Sequence, residues 1–255
     1  MQVYSLSPHG PSLGGAMPLA CVPIVAADAT EALRQAQQIR AHHPAPDVVE
    51  LRADALPQAS MVGIPQLLQQ LHGQLIDIPL LFTNRRVEEG GLGQWTEEAR
   101  VASILGAIHS GYVTLADVEL ATVPAWRGAI LAAGQAAGIG IMVSAHDFSA
   151  TPDEVALRAT FAALIASGGV AAKYVVTATT PTDALRLLAV TAQVAADAAV
   201  PLISIAMGSA GTITRLAGPF FGSALTFATI NVISAVGQMP LTLVRDYWRQ
   251  AGLRK

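Results

Sequence analysis

Short runs rich in β-branched and apolar residues alternate with alanine-rich helical stretches along almost the whole chain, and that alternation admits few folds. Strands are expected near Leu19–Ala26, Val48–Arg52, Pro79–Thr83, Tyr112–Leu120, Ile139–Ser144, Ala171–Thr177, Leu202–Met207 and Ala224–Ile230. Most of these runs lack strict polar and apolar alternation, as strands covered on both faces do. The expected fold class is therefore α/β, and eight parallel strands suit a single (β/α)8 TIM barrel spanning residues 1–255 as one domain. Residues 1 to about 17 carry little pattern and form a short N-terminal extension that could cover the barrel's bottom. An open doubly wound sheet would show the same alternation, so periodicity alone leaves closure open.

Helix starts punctuate the runs. Thr151-Pro152-Asp153-Glu154 offers Thr151 as N-cap, a proline at N1 and a capping-box glutamate at N3. Thr180-Pro181-Thr182-Asp183 repeats the arrangement with the shorter acid, and Thr96-Glu97-Glu98 opens a helix with favourable negative charge in its first turn. Pro240 to Gly252 reads as a closing helix.

Composition narrows the function classes. Hydrophobic residues make up 52% and charged residues 13%, a well-buried globular balance, and the net charge of -3 offers no basic surface for nucleic acid. No apolar run reaches the length of a membrane span, and the start, MQVYSLSPHG, has no cationic segment of the kind a signal peptide carries. The lone Cys21 rules out an internal disulfide framework, so a reducing, cytoplasmic setting is expected. One cysteine and scattered histidines give no metal-site spacing, and His42-His43 reads as surface loop.

The chemistry sits at the expected strand ends, where a barrel of this kind builds its site. Glu50 and Arg52 are two apart and share a face, as do Asp117 and Glu119. Arg85 follows the third strand, with Arg86, Glu88 and Glu89 before Gly90-Gly91. His146 and Asp147 end the fifth, and Ser234 and Gln238 follow the eighth. Each alone has an ordinary reading as ion pair, solvated loop or helix cap, but together they converge on one rim. Lys173 stands out because it lies inside an apolar strand, Val170 to Val176. It either snorkels outward between helices or points into a dry interior, where desolvation would expose a nucleophilic amine able to condense with a carbonyl.

Five stretches, in order, resemble the type I 3-dehydroquinate dehydratase family. They are Glu50 to Asp54; Phe82-Thr83-Asn84-Arg85 running to Glu89-Gly90-Gly91; Ser144 to Phe148; Lys173 in its strand; and Arg215 to Gly218 with Phe221 to Ala224 and Ser234 to Gln238. The resemblance implies dehydration of 3-dehydroquinate without a cofactor. Lys173 would form a Schiff base with the C3 ketone, His146 would shuttle protons, and Glu50 would orient the histidine. Arg215 would pair with the substrate carboxylate, and Arg52, Arg85, Ser234 and Gln238 would hold the ring. Glu89 would lie on a loop able to close over the site, and a homodimer is also implied. Four positions depart from the family pattern: Asn84, where an aromatic residue is common; Ala145, in place of an asparagine; Val236, in place of a proline; and Ser209, near which a lysine is expected.

Competing readings stay open on the residues. A sugar-phosphate aldolase would use the same lysine, with the Gly208–Gly211 loop near the usual phosphate position. A barrel that only binds a small carboxylate needs neither Lys173 nor His146. Gly90-Gly91-Leu92-Gly93 lacks the final glycine of a dinucleotide fingerprint. Aromatic biosynthesis and quinate breakdown would both pass through the proposed reaction.

Overall fold

The structure is a computed structural model and describes residues 3–6, 10–230 and 235–253. Two short strands, β1 (Tyr4–Ser5) and β2 (Ser12–Leu13), pair antiparallel as a hairpin. Eight parallel strands follow: β3 (Leu19–Ile24), β4 (Val48–Arg52), β5 (Leu80–Thr83), β6 (Leu115–Glu119), β7 (Gly140–His146), β8 (Ala171–Thr177), β9 (Leu202–Met207) and β10 (Leu225–Phe227). They neighbour one another in chain order, and β10 returns to β3. A parallel bridge between Leu202 and Ser223, with the Ala224 amide donating to the Leu202 carbonyl at 2.7 Å, joins the last edge. The result is a (β/α)8 TIM barrel. Its helices are α1 (Ala29–Ala41), α2 (Ile64–Leu75), α3 (Glu97–Ser110), α4 (Pro124–Ala137), α5 (Glu154–Ala166), α6 (Pro181–Asp197), α7 (Thr212–Ala217) and α8 (Leu241–Gln250). No helix among the described residues is long and apolar enough to cross a membrane.

Alternation along each strand sorts the core into two layers. One face, including Val22, Val49, Leu51, Phe82, Val118, Val143 and Val176, packs against the helices. The other includes Leu19, Cys21, Val48, Leu81, Leu115, Met142, Ala171 and Ile203, and it fills the barrel's interior. Leu6 and Leu13 of the hairpin join that inner cluster, so the N-terminal extension plugs the bottom. Its seating depends on Gly140: a Cβ there would come within 2.7 Å of the Tyr4 ring. Because most inner apolar residues sit early in their strands, the lower half of the barrel is a packed core and the upper half is left for polar groups.

The strand bounds differ from expectation where local geometry intervenes. Gly111, in the left-handed region, ends α3, and residues 112–114 are spent reaching the sheet, so β6 begins at Leu115 rather than Tyr112. β7 runs on to His146, two residues past the expected bound at Ser144, so the histidine ends the strand. β10 stops at Phe227 because the Thr229 amide turns to the Met239 carbonyl. The capping box at Thr180 and Asp183 forms, and Thr96 caps α3. At α5 the cap is Asp153, whose carboxylate accepts from the Ala156 amide. Thr151 instead donates its hydroxyl to the Thr177 carbonyl, tying that loop to β8.

Candidate active site

The register puts Glu119, Ser144, Lys173 and Ile203 at one level of the sheet. His146 pairs with Val175 and lies two residues nearer the mouth than Ser144, roughly 7 Å along the strand. Both Lys173 and His146 line a cavity of about 470 Å³ at the C-terminal ends of the strands, together with Glu50, Arg52, Arg85, Glu89, Arg215 and Gln238. Of these, sequence reasoning placed Glu50, Arg52, Arg85, Glu89, His146 and Gln238 on one rim; Lys173 points inward to join them, as does Arg215, which only the family resemblance had singled out. Ser234 lies outside the described residues.

Lys173 is buried but not isolated. Its Nζ lies 3.2 Å from Asp117 Oδ2 and 4.6 Å from the centre of the Phe227 ring. Asp117 also accepts from Arg85 Nη2 at 2.8 Å and from the Ser144 hydroxyl at 2.6 Å. Burial opposes its ionisation, but the Arg85 and Lys173 charges outweigh burial and hold the carboxyl well below the usual range. Arg85 Nη1 also donates to Glu119 Oε1 at 2.8 Å and to Ser144 Oγ at 2.7 Å. Burial disfavours the Arg85 charge, yet the two carboxylates more than offset it and raise its pKa.

His146 Nδ1 faces Glu89 Oε2 at 2.9 Å. Burial, followed by the Arg85 and Lys173 charges, pushes the imidazole well below its ordinary value. Glu89 moves the other way: burial first and Glu119 second push its carboxyl up to about 7. The support expected from Glu50 comes instead from this loop glutamate. Glu50 lies on β4, and its described hydrogen bond is with the Thr83 hydroxyl at 2.8 Å, donated by the adjacent strand. The reason is reach: residues 87–89 form a single helical turn that brings Glu89 to β7.

The loop after β5 is held over the cavity. Asp54 accepts the Arg52 guanidinium through both oxygens, at 2.9 and 2.8 Å, and also the Arg85 and Leu92 amides. Arg52 Nη2 reaches the Gly90 carbonyl at 3.3 Å. Gly90 has φ 85°, and a Cβ there would lie 2.1 Å from the Phe148 ring, so only glycine lets the loop close on that aromatic. Arg52 and Arg85 therefore enter the site already clamped by carboxylates.

Arg215 is different. Its described hydrogen bonds go to the Phe227 and Val236 carbonyls at 3.3 and 3.4 Å, its Nε has none, and among the described residues it has no carboxylate partner. Burial alone lowers its pKa to about 10. A buried guanidinium beside a cavity, without a counter-ion, is a receptor for an anionic ligand group. Among the described residues no group of three or more His, Cys, Asp or Glu could hold a metal ion.

Sequence reasoning left Asp117 and Ser144 without a role; the signal was the D-x-E spacing on a strand beside the one carrying Lys173. Arg100 went unnoticed, because Thr96-Glu97-Glu98-Ala99-Arg100 reads as a solvated first turn although the arginine is buried.

Comparison with known proteins agrees with this geometry. The model for the type I 3-dehydroquinase family matches residues 20–254. A 3-dehydroquinate dehydratase from Albidiferax ferrireducens is 38% identical, with 91% of this chain and 89% of that protein covered. The crystal structure of 3-dehydroquinate dehydratase from Geobacillus kaustophilus superposes with a TM-score of 0.91 at 33% identity, covering 97% of this chain and 98% of that one. A type I 3-dehydroquinate dehydratase from Clostridium difficile, with covalent modified comenic acid, gives 0.89 at 27% identity, covering 94% and 95%. On the match along nearly its whole length, the chain belongs to the type I 3-dehydroquinase family.

Proposed function

We propose that this chain converts 3-dehydroquinate to 3-dehydroshikimate through an imine on Lys173, with His146 carrying protons. The observation that carries the reading is one cavity holding an inward lysine, a histidine on the adjacent strand and a buried arginine without a counter-ion among the described residues. The free amine adds to the C3 ketone, and the carbinolamine loses water to give the iminium. That cation is an electron sink made from the protein itself, so the route asks for no added cofactor. His146 takes a C2 proton, and the resulting enamine expels the C1 hydroxyl, which leaves as water after receiving a proton from the imidazolium. Hydrolysis of the conjugated iminium consumes one water, frees Lys173 and releases product, so the net change is loss of one water.

The other groups support this sequence. Arg215 meets the substrate carboxylate. Glu89 accepts from His146 Nδ1 and leaves Nε2 for the substrate, a tautomer assigned from the contact. Arg52, Arg85, Gln238 and Ser234 hold the ring, with Glu50 beside them on β4. The covalent modified comenic acid of the Clostridium difficile relative supports a covalent route.

Mixing the protein with 3-dehydroquinate, adding borohydride and weighing the digested protein tests the reading. The expected result is a reduced adduct on Lys173, with ultraviolet absorbance of the enone product in the unreduced control. No adduct and no product would point to a different carbonyl substrate, with sugar-phosphate ketones next. Arg215→Met should raise KM by ~10²-fold with a smaller change in kcat, because the lost contact serves bound substrate and transition state alike. Steady-state kinetics decides it: an unchanged KM would put the carboxylate elsewhere.

A further inference from the structure

Arg100, on α3, is buried yet does not line the cavity. Its guanidinium is spread over acceptors behind the barrel wall. Nη1 donates to Glu119 Oε2 at 2.6 Å and to the Asn84 carbonyl at 3.2 Å. Nη2 donates to the Thr122 hydroxyl at 2.7 Å and to Glu97 Oε1 at 2.8 Å, and Nε to Glu97 Oε2 at 2.8 Å. Glu119 is itself buried. Its other oxygen takes Arg85 Nη1 and the Arg86 amide, at 2.8 and 3.1 Å. Arg85 in turn holds Asp117 Oδ2, the atom that Lys173 approaches.

Charge therefore alternates from the helix to the amine: Glu97, Arg100, Glu119, Arg85, Asp117, Lys173. Asn84 lies beside this chain of charges. Its side-chain amide donates to Ser103 on α3 at 2.9 Å, and its backbone carbonyl accepts from Arg100.

We propose that Arg100 is a positioning residue for the Lys173 and His146 centre: by holding one oxygen of Glu119, it keeps Arg85 shared between Glu119 and Asp117 and fixes the charge around the lysine amine. The proposal rests on the imine reading of Lys173. Without Arg100, Arg85 is drawn toward Glu119, and the network loses one positive charge beside that buried carboxylate. An uncompensated negative charge in a low dielectric favours the protonated form of each group that feels it. The groups facing that charge are Lys173 on β8, His146 on β7, Asp117 on β6, Glu50 and Arg52 on β4, and Arg85 and Glu89 on the loop after β5. The free-base forms of His146 and Glu89 are then reached only at higher pH.

The test compares wild type with R100M, R100K, E119Q and R100M/E119Q, reading the pH profile of kcat/KM and the titration of His146 by NMR without substrate. R100M should lose about tenfold in kcat/KM at neutral pH and recover it at higher pH, with the acid limb displaced upward by about one unit. The His146 titration should move upward with it. R100K should keep the wild-type profile, E119Q should displace the limb downward, and the double variant should bring it back. A loss equal at every pH, with His146 titrating as in wild type, would show that Arg100 only supports the fold and overturn the proposal. If R100M does not fold, E119Q and the double variant decide: an unmoved limb in E119Q overturns it. Wild-type protein inactive on dehydroquinate would remove the imine reading, and the His146 titrations would still test the charge chain.

Discussion

Replacing Lys173 with alanine should lower turnover by ~10⁴-fold or more and abolish the borohydride-trapped adduct, while the protein still folds. The loss is large because no other amine lines the cavity among the described residues, and without the iminium the C2 carbanion has no electron sink. Folding should survive because Asp117 keeps two hydrogen bonds without the lysine, from Arg85 on one oxygen and from Ser144 on the other. Circular dichroism and a denaturation midpoint alongside the rate separate the two effects. Substantial turnover by a folded Lys173→Ala protein would remove the imine mechanism.

His146→Ala should still form the imine yet release product very slowly, with turnover reduced ~10²- to 10⁴-fold. Mass spectrometry during turnover, without borohydride, should show the covalent species accumulating in this variant. Turnover equal to wild type would reassign the proton carrier. The pH dependence follows from the two shifted groups. Burial keeps His146 neutral well below its usual range, so the imidazole is a free base at neutral pH. Glu89 gains its proton as pH falls through about 7 and then no longer accepts from Nδ1, which weakens His146 as a base. The acid limb of kcat/KM should therefore lie near 7 and belong to the pair. In Glu89→Gln that limb should leave the neutral range, at a lower plateau.

How much of this was legible in the sequence depends on whether the signal was local. The strands of the barrel announced themselves because both their faces are covered, and the capping box at Thr180 and Asp183 is written within four consecutive residues. Lys173 was visible as a charge inside an apolar run. Closure of the sheet was not, since it depends on a contact between Leu202 and Ser223 that no periodicity encodes. The partner of His146 was hidden for a similar reason. Glu50 and Glu89 are both acids near strand ends, and only the single turn at residues 87–89 decides which one arrives. Arg100 was hidden because a helix's first turn is normally solvated, whereas here it lies against Glu119.

Among the described residues, Leu6 and Leu13 pack into the inner cluster and close the barrel's floor. The loop that carries Glu89 and Gly90, with Phe148, lines the cavity at the strands' C-terminal ends. In the proposed reaction the water released when the imine forms is the kind needed to break it, and a sealed floor lets one loop govern both events. We therefore expect a change that loosens the floor to admit solvent from behind the site and to shorten the lifetime of the covalent species.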